Sequence, residues 1–251
     1  VVLPKLSIIT NTSLDHKDLL GDSLDLITKE KAGIIKRNTP ILVGQSNEST
    51  HIIKNQAIKL NAPFFLTNRH KFKSDLKGNY QVKNISTAVT AVEILNRLNY
   101  KISPSAIRNG LFNVRRNTGL RGRWDILSIK PFVVCDVAHN IDAFHNILSE
   151  LNLYKGKKHI ILGFSKDKDY NSILDILPRN YRYYICGSKN QRVINPQILS
   201  TSFKKRNLIY KIFKFSSDAY QSLIEDSNKN DLILITGSTF IVSDILFFLD
   251  K

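Results

Sequence analysis

Short apolar runs alternate with amphipathic stretches through the first third of the chain. Apolar runs that predict strands lie at 6–10, 39–44 and 63–66. Apolar residues at helical spacing predict helices between them, over 24–35 and 48–60. Alternating strands and helices of this length are typical of a largely parallel sheet with helices packed on it.

The alternation stops at 67–83, which is polar and basic and contains a Gly78-Asn79 turn. Helices are predicted to follow over 84–98 and 105–112, and 113–122 is rich in Arg, Asn and Gly. We place a domain boundary in that last segment. The sequence therefore predicts two domains, residues 1–118 and 119–251.

The second half returns to the strand and helix alternation. Strands are predicted at 125–128, 132–135, 158–162, 181–186, 208–213 and 231–235. Helices are predicted at 141–151, 170–176, 195–202, 217–226 and 239–249. This order predicts a Rossmann-like α/β domain with a mostly parallel sheet, although no G-x-G-x-x-G follows its first strand.

Chemically active side chains cluster where one of these predicted strands ends. The buried run PFVVC is followed directly by Asp136, then by His139 and Asn140, and a helix is predicted from Ile141. Ligands of open α/β sheets bind at the carboxyl ends of the strands. Helix capping accounts for one of these polar residues but not for all three. We therefore predict a binding site here, with Arg123, ahead of the preceding strand, facing the same crevice.

Composition narrows the class of ligand and the compartment. The net charge is +16, from 37 basic and 21 acidic residues. Because the lysines are scattered instead of gathered into one stripe, the charge favours a small anionic substrate over nucleic acid. No apolar run approaches the ~20 residues of a membrane span, and no signal-peptide pattern is present. Cys135 and Cys186 both lie in predicted strands and are typical of core residues in a reducing compartment, so we expect a cytoplasmic protein without membrane contact.

Two residues near the start of the chain are candidate ligands for a divalent metal. His16 follows the first predicted strand, and a neutral imidazole there can ligate a divalent metal. Lys31, followed on the next helix by the small residues Ala32 and Gly33, can lose its proton in a confined site and react with carbon dioxide to give a carbamate. From chemistry alone, an ordinary surface histidine and an ordinary surface lysine remain the simpler interpretation.

Five motifs taken in order resemble one enzyme family. The chain resembles the folylpolyglutamate synthase and dihydrofolate synthase family of the Mur ligase superfamily. The residues that carry this resemblance are Leu14-Asp15-His16 with Glu30-Lys31-Ala32-Gly33-Ile34, Gly78–Asn84, Gly122-Arg123-Trp124 with Asp136–Asn140, Gly163–Asp169, and Ile235–Ser238.

The resemblance implies a function and a set of roles. It implies an ATP-dependent amide ligase that joins L-glutamate to a folate or dihydropteroate carboxylate through an acyl phosphate, acting as a monomer with ATP and Mg²⁺. The implied metal ligands are His16 and Lys31 as its carbamate, and Lys31 and His139 are the implied catalytic residues. The implied ATP contacts are Asn84, Arg123, Asp136 and His139.

The chain also departs from the family pattern. No G-x-x-x-x-G-K-[ST] phosphate loop is present, and Val137 replaces the glycine of the family's DGAHN. We therefore expect the back half of a Mur-ligase-type ATP-binding domain followed by the Rossmann-like C-terminal domain. On this interpretation the 251-residue chain alone is an inactive fragment.

Two other interpretations stay open at this point. A cell-wall Mur ligase, which adds an amino acid to a UDP-muramoyl substrate, shares the carbamylated lysine and the sheet architecture. A non-catalytic basic module that binds nucleotides or nucleic acid would explain the net charge of +16 and the missing phosphate loop.

Overall fold

In the computed structural model, the described residues are 2–13 and 23–250. They fall into two compact units. Unit 1 comprises residues 1–75 and 79–119, and unit 2 comprises residues 76–78 and 120–251. Each unit is described by itself below.

Unit 1 contains a parallel three-stranded sheet in the order β1 (Ser7–Ile9), β2 (Ile41–Val43) and β3 (Phe64–Leu66). Successive strand side chains point to opposite faces, so the central strand feeds two clusters. Ile41 and Val43 join the larger cluster, and Leu42 packs on the other face. The helices of this unit are α1 (Leu24–Ala32), α2 (Thr50–Lys59), α3 (Gln81–Arg97), α4 (Pro104–Phe112) and α5 (Val114–Thr118).

Two of these helices have an end that lies three residues from the predicted one. Helix α1 begins as predicted after Ser23, whose hydroxyl accepts a hydrogen bond from Leu26 N at 3.2 Å, but it ends at Ala32, three residues early. Helix α3 begins at Gln81 instead of Asn84, because tight turns already form there, with Val82 N donating to the Asn79 carbonyl. Asn84 therefore lies within the first helical turn and is not the first residue of the helix.

Unit 2 contains a six-stranded sheet in the order β4-β5-β9-β6-β7-β8. Strand β4 runs antiparallel to β5, and every other neighbouring pair is parallel. The strands are β4 (Asp125–Ile129), β5 (Phe132–Cys135), β6 (Lys158–Leu162), β7 (Arg182–Cys186), β8 (Ile209–Phe213) and β9 (Leu232–Thr236). The helices are α6 (Ile141–Leu151), α7 (Tyr170–Asp175), α8 (Pro196–Lys205), α9 (Ser216–Asp226) and α10 (Thr239–Leu249).

Both faces of this sheet are covered. Val134 and Leu234 face one apolar cluster, which includes side chains of α6, α7 and α8. Val133 and Ile233 face the other cluster, built with side chains of α9 and α10. Continuous apolar strands such as Leu232–Thr236, buried at every position, are what a parallel sheet covered on both faces requires. The predicted α/β class with a mostly parallel sheet is confirmed. Among the helices of the described residues, none is long and apolar enough to cross a membrane.

Candidate active site

In unit 2, three neighbouring strands bring their carboxyl ends to one edge of the sheet. Strands β5, β9 and β6 lie side by side, and the loops that leave them begin at Asp136, Gly237 and Gly163. Since chain order and spatial order differ at this point, the loops diverge to helices on opposite faces. Such a position is where open α/β sheets bind ligands.

The Asp136 carboxylate joins the loop after β5 to the turn that precedes β4. Its side chain is buried, and its two oxygens accept hydrogen bonds from Trp124 N at 2.8 Å and from Ala138 N at 3.0 Å. A carboxylate that accepts backbone N–H bonds away from water makes charge-assisted bonds, which are the stronger kind. Asp136 therefore fixes the turn that carries Arg123.

That turn has an unusual backbone. Gly122 and Trp124 both have positive φ, at 70° and 47°, so Arg123 is held between two left-handed residues. Residues other than glycine rarely adopt this backbone conformation. Trp124 does so with its ring buried at 2% exposure, which anchors the turn in the core. Arg123 is half-buried, and its Nη1 donates to the Gly122 carbonyl at 3.2 Å.

Asp125, a residue that the sequence analysis did not single out, holds the other side of the same turn. It is buried and accepts hydrogen bonds from Arg121 Nε at 2.5 Å and from Gly122 N at 3.4 Å. The hydrogen bond with Asp125 raises the pKa of Arg121. The signal in the sequence was a carboxylate directly after a buried tryptophan at the start of a strand.

His139 and Asn140 have separate tasks in the loop after β5. His139 Nδ1 lies 3.0 Å from the Val137 carbonyl, which can only accept, so Nδ1 carries the proton in this contact. Asn140 caps α6, since its Oδ1 accepts from Ala143 N at 2.9 Å. Capping thus accounts for Asn140, whereas Asp136 bonds to other backbone groups.

Val137 fits the backbone that this chain has. It is not among the described residues with positive φ, and its N–H donates to the Gly122 carbonyl at 3.1 Å. A Cβ added to Gly122 would lie 2.9 Å from Val137 Cγ1. The valine therefore packs against the turn and needs a glycine opposite it.

The loops after β6 and β9 contact each other and the loop after β5. Gly237 N donates to the Ala138 carbonyl at 3.0 Å, and the hydroxyls of Ser165 and Ser238 lie 3.0 Å apart. Gly237 has φ 95°, and a Cβ there would lie 2.6 Å from the Gly163 carbonyl oxygen. Only glycine permits this approach, so the loops that follow β5, β6 and β9 form one rigid edge.

The carboxyl edge of the unit 1 sheet is also polar. Lys31, half-buried on α1, donates from Nζ to the Asn11 carbonyl at 3.0 Å. Asn47 Nδ2 donates to the Thr12 carbonyl at 3.0 Å and to its hydroxyl at 2.6 Å. The loops after β1 and β2 are thereby tied together next to Lys31. His16 lies outside the described residues.

Asn84 belongs to the first turn of α3 in unit 1. It is exposed, and its Nδ2 donates to Gln81 Oε1 at 2.9 Å. The structure thus brings Arg123, Asp136 and His139 to one edge of unit 2 and places Lys31 and Asn84 in unit 1. The shared nucleotide contact of Asn84 with Arg123 stays a prediction.

Metal binding by protein side chains alone has little support in the visible part of the chain. Within residues 2–13 and 23–250, no group of three or more His, Cys, Asp or Glu side chains is placed to hold a metal ion. Within these residues alone, a metal would need other ligands, such as a modified Lys31 or the oxygens of a bound phosphate.

Comparison with known proteins agrees with this architecture. Residues 122–239 match the family described as Mur ligase, glutamate ligase domain. The domain of unit 2 is therefore similar to the glutamate ligase domain of Mur ligases.

Individual relatives are similar to this chain over nearly its whole length. The probable dihydrofolate synthetase of Schizosaccharomyces pombe is 28% identical over 98% of this chain and 66% of its own length. The dihydrofolate synthase/folylpolyglutamate synthase of Buchnera aphidicola from Acyrthosiphon pisum is 28% identical over 96% of this chain and 61% of its own. Over nearly its whole length the chain is thus similar to dihydrofolate synthases and folylpolyglutamate synthases, and it spans less than two thirds of the length of these relatives.

A solved structure shows the same fold. The bifunctional folylpolyglutamate synthase/dihydrofolate synthase of Yersinia pestis c092, complexed with AMPPNP and Mn ion, superposes with a TM-score of 0.80 at 22% identity. The match covers 98% of this chain and 62% of that one.

Proposed function

We propose that this chain carries the glutamate-ligase part of an ATP-dependent amide ligase, which joins L-glutamate to a folate or dihydropteroate carboxylate. The observation that carries the proposal is the turn held by Asp136, which presents Arg123 at the carboxyl edge of the sheet. The names of the relatives and the glutamate ligase domain match support the same substrates.

Arg123 and Asp136 are the proposed nucleotide contacts in unit 2. A guanidinium on a rigid turn can neutralise negative charge on phosphate oxygens, and pre-set positive charge is what phosphoryl transfer needs. Asp136 is the proposed acceptor for a ribose hydroxyl, because a carboxylate oxygen can accept more than one hydrogen bond. Asn84, exposed on α3, supplies an amide for the adenine. The AMPPNP bound by the Yersinia relative supports a nucleotide here.

Lys31 as a carbamate and His16 are the proposed ligands of a divalent metal, Mg²⁺. The donor geometry of Lys31 fits this role, because its Nζ lies half-buried within 3.0 Å of the Asn11 carbonyl, beside the polar loops that follow β1 and β2. Carbamylation would turn that nitrogen into an anionic oxygen donor suited to a hard cation. When bound, the metal would neutralise charge on the nucleotide phosphates. The Mn ion of the Yersinia relative supports a divalent cation.

The proposed reaction has two steps. The substrate carboxylate attacks the γ-phosphorus of ATP, which releases ADP and gives an acyl phosphate. The amino group of glutamate then attacks the acyl carbon, loses a proton and releases phosphate. The Nδ1–H of His139 donates to the Val137 carbonyl, so Nε2 is the basic nitrogen of the ring. His139 helps to set the geometry near the nucleotide. We further propose that the enzyme is a cytoplasmic monomer.

Nucleotide binding by the 251-residue chain tests this proposal. Calorimetric titration with AMPPNP and Mg²⁺ should detect binding, and Arg123→Ala should weaken it about 10-fold through the loss of a charge-assisted contact. Arg179→Ala removes an equal charge from an exposed position after α7 and should bind like wild type. No nucleotide binding, or equal affinity in Arg123→Ala, would contradict the proposal.

Ligase turnover is a separate measurement. Because the sequence has no phosphate-loop motif, we expect no glutamate-dependent phosphate release from this chain with ATP and dihydropteroate. Turnover would show that other residues grip the phosphates. Intact mass spectrometry should find added carbon dioxide on Lys31.

A further inference from the structure

A second polar region of unit 2 lies over the carboxyl ends of β7 and β8, on the far side of the β6 loop from Asp136. It is an open groove of about 930 Å³ between the loops that follow β6, β7 and β8. We call it the β7–β8 groove. Its volume lies within the range of small-molecule sites, roughly 300–1,000 Å³.

The groove is basic on three sides. Lys166, Lys189 and Lys214 line it, one from each of the three loops, and none of its lining residues is acidic. All three lysines are exposed, and no Asp or Glu of the described residues forms an ion pair with them. Lys214 Nζ lies 5.2 Å from the centre of the Phe215 ring, a cation–π contact that holds it at the rim. These ammonium groups are arranged to receive several separate negative charges.

The floor of the groove is apolar. Val193 and Ile194 are buried beneath it, and the half-buried rings of Phe213, Phe215 and Tyr170 form its walls. A ligand that fits must therefore combine anionic groups with hydrocarbon segments between them.

The start of α8 argues against a phosphate as that ligand. Helix N-termini bind phosphate through unpaired backbone N–H groups. Here Pro196 has no N–H, Gln197 N donates to the Asn195 side chain at 2.9 Å, and Ile198 N donates to the Asn195 carbonyl at 3.0 Å. The side-chain ammonium groups are then the charged donors at the rim, and they suit carboxylates spread along a chain.

We propose that the β7–β8 groove binds the oligo-γ-glutamate tail of the folate substrate. The inference rests on the proposed function, because a folylpolyglutamate carries such a tail. In a γ-linked chain each residue places one α-carboxylate on the backbone and two methylene groups between amides. The carboxylates reach the three lysines, and the methylene groups lie on the apolar floor. The groove thereby retains the product of one glutamate addition for the next.

The test is binding of γ-linked tetraglutamate to the purified chain at fixed ionic strength, with free glutamate and α-linked tetraglutamate as comparison ligands. The double variant Lys189→Gln/Lys214→Gln should weaken binding of the γ-linked ligand about 5-fold, as expected for two exposed ion pairs. It should leave AMPPNP affinity unchanged, since neither lysine belongs to the proposed nucleotide contacts.

A matched charge control separates a site from general attraction. Lys155→Gln/Lys229→Gln removes the same charge from exposed loops before β6 and β9, at the opposite edge of the sheet, and should bind like wild type. Equal loss in this control, equal affinity for the α-linked peptide, or affinity no higher than that for free glutamate would overturn the groove proposal. AMPPNP titration of the same samples tells such a failure apart from failure of the proposed ligase function.

Discussion

The two units carry polar groups at the carboxyl edges of their sheets, but they hold them in different ways. In unit 2, the buried carboxylate of Asp136 and the backbone amides that donate to it join the loops at the edge of the sheet. This six-stranded sheet is covered on both faces. In unit 1, the loops of a three-stranded sheet are joined by backbone bonds from Gly44 N and Gln45 N and by the side chains of Asn47 and Lys31. The edge of unit 2 is thus built around a buried carboxylate, whereas the edge of unit 1 carries a half-buried lysine.

Removal of the Asp136 carboxylate should cause the largest loss of stability and should remove the difference between the two units. Asp136→Ala leaves two buried N–H groups without a charged acceptor, and we expect the free energy of unfolding to fall by about 4 kcal/mol. The chain's one tryptophan, Trp124, donates to this carboxylate and reports on unit 2 by fluorescence during urea unfolding. Asp142→Ala, exposed in the first turn of α6, should cost only about 0.5 kcal/mol. Similar losses in the two variants would show that Asp136 does not organise the edge.

Close backbone approach in unit 1 should give the next largest effect. A Cβ on Gly44 would lie 2.3 Å from the Thr10 carbonyl oxygen, so Gly44→Ala should destabilise this unit by about 2 kcal/mol. Gly110→Ala on α4 meets nothing within 4 Å and should stabilise it by about 0.5 kcal/mol. Amide hydrogen exchange of β1–β3 measures both. Unchanged protection in Gly44→Ala would mean that the loops adapt more freely than the structure indicates.

The smallest expected effect comes from the opposite, amino edge of unit 2. Burial lowers the pKa of His159 below its usual 6.5, despite the nearby Asp231 carboxylate at 3.4 Å, and Tyr184, Arg182 and Lys157 are its other polar neighbours. The unfolded chain then takes up the proton first, so this residue's contribution to stability is present above pH 6.5 and is lost as the pH falls below it.

The measurement is the Trp124-detected unfolding midpoint as a function of pH. In His159→Gln the decline below pH 6.5 should become shallower, while His145→Gln, exposed on α6, should follow wild type. An unchanged slope in His159→Gln would show that other groups cause the acid sensitivity.

The ends of the predicted strands locate the candidate site, but the sequence does not show the hydrogen-bond partner of each side chain. Asn140 and Asp136 are both residue types that can cap a helix. Only the structure shows that Asn140 caps α6, whereas Asp136 accepts a hydrogen bond from Trp124 N, twelve residues earlier in the chain. The role of Asp125 is not visible in the sequence, because its partner, Arg121, reaches it only in the folded turn. The scattered lysines of the sequence include three that meet at the β7–β8 groove, since they follow adjacent strands.

The order of apolar and polar residues by itself determined the alternating strands and helices, because burial on both faces of a parallel sheet demands continuous apolar runs. It also carried the family motifs, since these are contiguous in the chain. Strand order, the two left-handed residues around Arg123 and the meeting of three lysines were decided only by the tertiary structure. Those features depend on contacts between residues far apart in the chain, and no local pattern encodes such contacts.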